Sequence, residues 1–170
     1  MGPVSAILTR PHPTAPNESD RPGREALTER PAVAVDRRPS SAGFATLLGA
    51  YRSSGGTARG DDLARLRADH HRGGYVSLAR LIAAGEVFGF EWRQTLWIPM
   101  FQFDPRDLSI KPALRQILAE LAVDFDSWGL AAWFANGNTW LDGQRPLDLL
   151  DRDLPAVVDA ARADRFIAAG

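Results

Sequence analysis

From Ser40 onward, apolar residues recur at helical spacing, switch once to strand spacing, and then return to helical spacing. Phe44, Leu47, Leu48 and Tyr51 stand at i, i+3, i+4 and i+7 behind Ser40-Ser41, where a serine can cap the stripe, and Ser53-Ser54-Gly55-Gly56 closes it. A second helix is predicted over residues 61–70, with Asp61 and Asp62 at its positive end, Leu63 and Leu66 as a narrow apolar edge, and Gly73-Gly74 as its break. A third runs from the N-cap Ser77 through Leu78, Leu81 and Ile82 to Gly85. Residues 87–92 and 95–103 are then rich in aromatic and β-branched side chains around Arg93-Gln94, which predicts a β-hairpin with Pro99 at an edge or bulge. Arg-Gln is not a favoured turn pair, so the pattern leaves the turn type open.

Beyond position 104 the helical period resumes. Pro112 suits a first turn, and Leu114, Ile117, Leu118 and Leu121 form the clearest stripe in the chain. Asp126 can cap a helix carrying Trp128, Ala131, Ala132 and Phe134, which Asn136-Gly137 closes, and Asp142-Gly143 marks a turn. Pro146 opens a short helix through Leu149-Leu150; Asp153-Leu154-Pro155 opens the last, with Val157, Val158 and Ala161 on one face. The five tryptophans, all between Trp92 and Trp140, are expected in the core. Trp128, Trp133, Phe134, Trp140 and Leu141 would pack against the 114–121 helix. The fold class that follows is mainly α with one β-hairpin. It comprises a disordered tail at 1–42, a helix–helix–wing module at 43–103, and a small helical domain at 104–170.

The tail is expected because residues 1–42 hold seven of the twelve prolines and no aromatic residue, so little is available to offset the entropy of ordering. Length and the 45% apolar fraction fit one ordinary domain or two very small ones. Cysteine is absent, which removes disulfides, thiol nucleophiles and Cys-ligated metal. Apolar runs stay far short of the about 18 residues of a membrane span, and the first ten residues lack a basic region followed by an apolar stretch, so a cytoplasmic protein without membrane contact is expected. Nineteen arginines accompany one lysine, Lys111, beside abundant alanine, a pattern of GC-rich bacterial coding.

No residue set spells out catalysis, and no cofactor or metal is implied. His70 and His71 are neighbours that point about 100° apart on a helix, unlike the i, i+4 pair of a helical zinc site. Gly55, Gly56 and Gly60 match neither phosphate-loop pattern, and the acids of the C-terminal region fall at helix starts and turns, where capping accounts for Asp126, Asp142 and Asp153. The chain is therefore read as a non-enzyme. Charge is uneven: residues 43–80 carry six arginines against three aspartates, and residues 104–170 carry eleven acids against seven bases. Two short helices joined by a glycine turn and followed by a hairpin have the order of a winged helix-turn-helix, with residues 77–84 in the recognition position and Arg93 at the wing tip. Arg72, Arg80 and Arg93 are the candidate DNA contacts, and a solvated Arg-rich surface is the competing reading.

In residues 126–170, Trp133 is followed by Asn136 or Asn138, then Leu141-x-Gly143-x-x-Pro146-x-x-Leu149-Leu150, then a helix with Val157-Val158. This order resembles the toxin-binding domain of Xre/MbcA/ParS-type antitoxins. The block from Val76-Ser77-Leu78 to Phe103 is similar to the segment before that domain in relatives with a helix–hairpin module. Where the family often has a glycine before its last helix, this chain reads Asp151-Arg152-Asp153-Leu154-Pro155. The resemblance implies a bacterial type II antitoxin whose helical C-terminal domain packs on, and blocks, an NAD-consuming RES-type toxin encoded nearby; repression of its own operon through operator DNA is carried beside it as a further expectation. It places the toxin contact at the C-terminal end, where Arg162, Arg165 and Phe166 stand at i, i+3 and i+4 and share a helix face. The alternative is a DNA-binding transcription regulator or accessory factor that uses the C-terminal domain to form a homodimer.

Overall fold

The computed structural model describes residues 40–70 and 76–170, which belong to one compact unit. The expected tail up to residue 39, His71 and the Gly73-Gly74 break lie outside the described residues. Helix α1 is Ser41–Tyr51, strand β1 Thr57–Arg59, α2 Gly60–His70, α3 Leu78–Ala83, β2 Phe90–Trp92 and β3 Thr95–Pro99. Four helices follow: α4 Ala113–Leu121, α5 Ser127–Ala135, α6 Pro146–Leu149 and α7 Leu154–Ala168. The expected mainly helical fold is thus observed, with a small antiparallel sheet of three strands rather than two. Residues 41 and 42 belong to α1, not to the tail.

Local capping chemistry fixes the helix starts. Ser40, Ser77, Asp126 and Asp153 each accept a bond from a backbone N–H of the first turn, which would otherwise be left without an intrahelical partner. Gly85, just after α3, takes the left-handed conformation that ends helices. The hairpin turn is resolved too: Arg93 and Gln94 both have positive φ (47° and 61°), as a two-residue type I′ turn demands, although neither is the glycine or asparagine that adopts it cheaply.

The sheet order is β1-β3-β2, with Phe90 opposite Trp97 and Ala58 opposite Ile98. Period-2 alternation puts neighbours on opposite faces, so Trp97 and Ile98 look into different cores. On the Ile98 side, Leu63 of α2, Leu78 and Leu81 of α3, Val87, Phe103 and Leu108 form a smaller cluster. On the other side Phe90 joins a main core with Leu47 and Tyr51 of α1, Phe88, Phe101, the apolar stripe of α4, and residues of α5, α6 and α7. That main core draws on residues from both sides of position 103. The buried Tyr51 hydroxyl donates to Ala131 O of α5 at 2.6 Å, and burial pushes its pKa up. From α1 through β3 the elements run helix–strand–helix–helix–strand–strand, with α1 on the Phe90 face of the sheet and α2 and α3 on the Ile98 face.

Three expectations are corrected. The sequence pattern does not predict strand β1, because Thr57-Ala58-Arg59 has no alternation of large apolar groups and is strand only by pairing with β3. In α2, Leu66 is 46% exposed, and its place inward is taken by Arg67, whose guanidinium donates to Leu108 O and lies 5.3 Å over the Phe103 ring. Residues 100–102 form a 3-10 turn instead of extending the hairpin, because the Gln102 side chain does the pairing there. Fully buried, it accepts from Phe88 N (2.9 Å) and donates to Phe88 O (2.8 Å) and Pro99 O (3.0 Å).

Candidate interaction surface at the end of the last helix

Helix α7 lies along α4 through Val157, Val158, Ala160 and Ala161, which are buried against the Leu114–Leu121 stripe. Past Ala161 its outward residues lose cover. Arg162 and Arg165, one turn apart, both turn to a single acid on α4: Arg162 Nε meets Glu120 Oε1 at 3.1 Å and Arg165 Nη1 meets Glu120 Oε2 at 2.8 Å. Arg162 also reaches Asp159 at 3.3 Å. These hydrogen bonds, Arg162's foremost, hold the Glu120 carboxyl below the ordinary carboxylate range, and the bond to Glu120 raises Arg162 in turn.

Beside this clamp, Phe166 is 82% exposed and Ile167 64%. Arg162, Arg165 and Phe166 line one shallow depression with Glu120, so the three residues singled out in the sequence do share a face. Consecutive helix residues point about 100° apart, which turns Ile167 toward a different side of the helix from Phe166. The other flank of α7 is fixed by Asp164. Its carboxylate accepts Trp133 Nε1 (2.7 Å), Asn138 Nδ2 (2.5 Å) and Trp140 Nε1 (3.1 Å), tying the 3-10 turn at Thr139–Leu141 to α7. With three donors on one carboxylate, Asp164 is a structural acceptor. Trp140, expected in the core, is instead 56% exposed: its indole N–H finds Asp164 at the surface while Leu141 takes the buried position.

Glu120 and the acceptor role of Asp164 escaped the sequence reading. Position 164 carries a signal in retrospect, since it continues the inward series 157, 160, 161, where an acid must be met by donors if it is to be tolerated. Glu120 carries none, because only the packing of α4 on α7 reveals two arginines opposite it.

The candidate DNA contacts are dispersed. Arg72 lies outside the described residues. Arg80 is exposed on α3, a helix of six residues whose neighbouring outward positions, Ala79 and Ala83, are alanines. Arg93 occupies the hairpin turn, as expected, but its guanidinium lies 5.3 Å over the Trp92 ring and donates to Ser41 Oγ at 3.2 Å. Trp92 itself stacks on Phe44 of α1 (4.9 Å between centroids), so the hairpin tip is drawn to the α1 side of the sheet, whereas α3 packs on the Ile98 side. Among the described residues, no three His, Asp or Glu side chains gather as metal ligands, and no helix is long and apolar enough to cross a membrane. No family model, no curated protein and no solved structure matches this chain.

Proposed function

We propose that this chain is an antitoxin-like binding protein that docks the end of its last helix into another protein. The observation that carries the reading is the exposure of Phe166 and Ile167 on adjacent sides of a helix end that Glu120 and Asp164 hold in place. Exposed large apolar groups flanked by guanidinium are the composition of interface anchors, and pre-ordering the helix end lowers the entropy cost of docking. Apolar groups on two sides of a helix suit a concave partner better than a flat one. The resemblance of residues 126–170 to the Xre/MbcA/ParS toxin-binding domain supports a RES-type, NAD-consuming toxin as that partner, and the test begins with the protein encoded beside this one.

Binding of that neighbour to Phe166→Asp and to Arg165→Glu is compared with the unaltered chain, with circular dichroism as the control for folding. A loss of at least about tenfold in affinity with an unchanged spectrum is expected for each. Unimpaired binding by both variants overturns the docking site. A neighbour that is not a RES-type protein, or that forms no complex, overturns the assignment of partner.

The second reading, operator binding and autorepression, rests on the chain order of α2, α3 and the hairpin, with α2 and α3 packed together on one face of the sheet. If α3 lies at DNA, Arg80→Ala weakens binding to the chain's own promoter at every sequence and reduces the salt slope by about one unit. No affinity for that DNA at about 50 mM salt removes this role.

A further inference from the structure

A cavity of about 400 Å³ opens where the 3-10 turn after β3 meets the loop between α6 and α7. Its size lies within the about 300–1,000 Å³ of small-ligand sites. Buried Phe101, Phe103, Leu108, Leu147 and Leu150 line it, and Lys111 and Asp151 stand at its rim with Nζ to Oδ2 at 2.6 Å.

The segment 103–111 is bent into an unusual shape to form this wall. Leu108 has φ +57°, a conformation that a leucine adopts only when its surroundings impose it. Several contacts impose it here: a β-bridge between Phe103 and Ile110, Leu108 N donating to Asp104 O at 2.9 Å, Lys111 N donating to Gln102 O at 2.9 Å, and the Arg67 guanidinium on Leu108 O. The bend brings the side chain of Leu108 to the cavity and sets Lys111 at its mouth. Lys111 is the sole lysine against nineteen arginines. An ammonium is a compact charge with three donors, whereas a guanidinium is a broad planar fork. Asp151, the acid it meets, is largely exposed, so one face of the charge pair is open to exchange.

We propose that this cavity binds a small carboxylate with an apolar body, of the medium-chain alkanoate class, its tail against Phe101, Phe103, Leu147 and Leu150 and its headgroup on the Lys111 ammonium. Charge and shape together select the class: an apolar chamber with a cation at its mouth is matched by an apolar body ending in an anion. The site stands apart from the end of α7 and does not depend on the partner proposed there.

The test titrates octanoate and, separately, 1-octanol into the full-length chain, following leucine methyl resonances by NMR. Octanoate is expected to give one saturable set of shifts that includes Leu147 and Leu150, with affinity at least about tenfold above that of octanol. Lys111→Gln should erase that preference and Lys111→Arg should restore part of it. Asp151→Asn, which removes the competing carboxylate, should tighten octanoate, so the two rim changes move affinity in opposite directions. Absence of saturable shifts at Leu147 and Leu150, a preference that survives Lys111→Gln, or weaker binding by Asp151→Asn overturns the proposal.

Discussion

A few polar side chains settle geometry that backbone alone leaves undefined. Gln102 is the clearest case, because its amide substitutes for a strand neighbour and pairs both the N–H and the C=O of Phe88 inside the protein. Gln102→Leu would keep the volume and remove all three of its hydrogen bonds, to Phe88 N–H, Phe88 C=O and Pro99 C=O, so a loss of about 2–4 kcal/mol is expected in urea unfolding. Asp164 works the same way for Trp133 and Asn138, both buried. The Trp133 ring also meets Phe134 edge-on at 5.0 Å, and Trp133→Ala should cost about 3–5 kcal/mol as a large truncation that also frees an acceptor. In the other direction, replacing Arg93-Gln94 by Asn-Gly puts residues suited to positive φ into the type I′ turn. A gain of about 1 kcal/mol is expected, and an unchanged denaturation midpoint would show that the Arg93 contacts to Trp92 and Ser41 offset the strain.

At the level of elements, the pairing of α4 with α7 has an apolar seam and an ionic end. The Glu120 carboxyl is held below its ordinary range in the folded chain, so the clamp is intact above the unfolded carboxylate pKa and is lost as pH falls through the folded value. Amide exchange of residues 162–169, corrected for intrinsic rates, should therefore be unchanged from pH 7 to about 5 and accelerate in stronger acid. Glu120→Gln should bring that acceleration to neutral pH. The loop between α5 and α6 obeys a different constraint: a Cβ on Gly137 would lie 2.4 Å from Gly143 O, a backbone atom that Asn138 fixes by accepting from Gly143 N. Gly137→Ala must therefore open this turn, and a lower melting temperature with altered Trp140 fluorescence is expected.

Over the whole molecule, the three-stranded sheet divides two cores, and the larger one unites α1 and the hairpin with all four later helices. Tyr51, Phe88, Phe90 and Phe101 are contributed from before position 104 and cover the same core as Leu114, Phe134 and Val157. A fragment of residues 104–170 would leave that surface uncovered. It should lack a cooperative melt by near-ultraviolet circular dichroism, whereas the full chain unfolds in one transition seen alike by all probes. A sharp melt of the fragment would show that the last four helices fold alone.

The helices and their starts are legible along the chain, because a cap and an apolar stripe are local: Ser40, Ser77, Asp126 and Asp153 lie where the helices begin, and the faces of α1, α4 and α7 are those the spacing indicates. The sequence by itself also placed Arg162, Arg165 and Phe166 on one face, since helical geometry alone requires it. Which side of that face meets protein and which meets water was decided by tertiary packing. Glu120 comes from a helix more than forty positions earlier, and Asp164 gathers donors from three residues that no periodicity links. Strand β1, the inward Arg67, the outward Trp140 and the strained Leu108 belong to the same class. Each depends on a partner distant in sequence, and a pattern read along the chain carries no information about what lies across the fold.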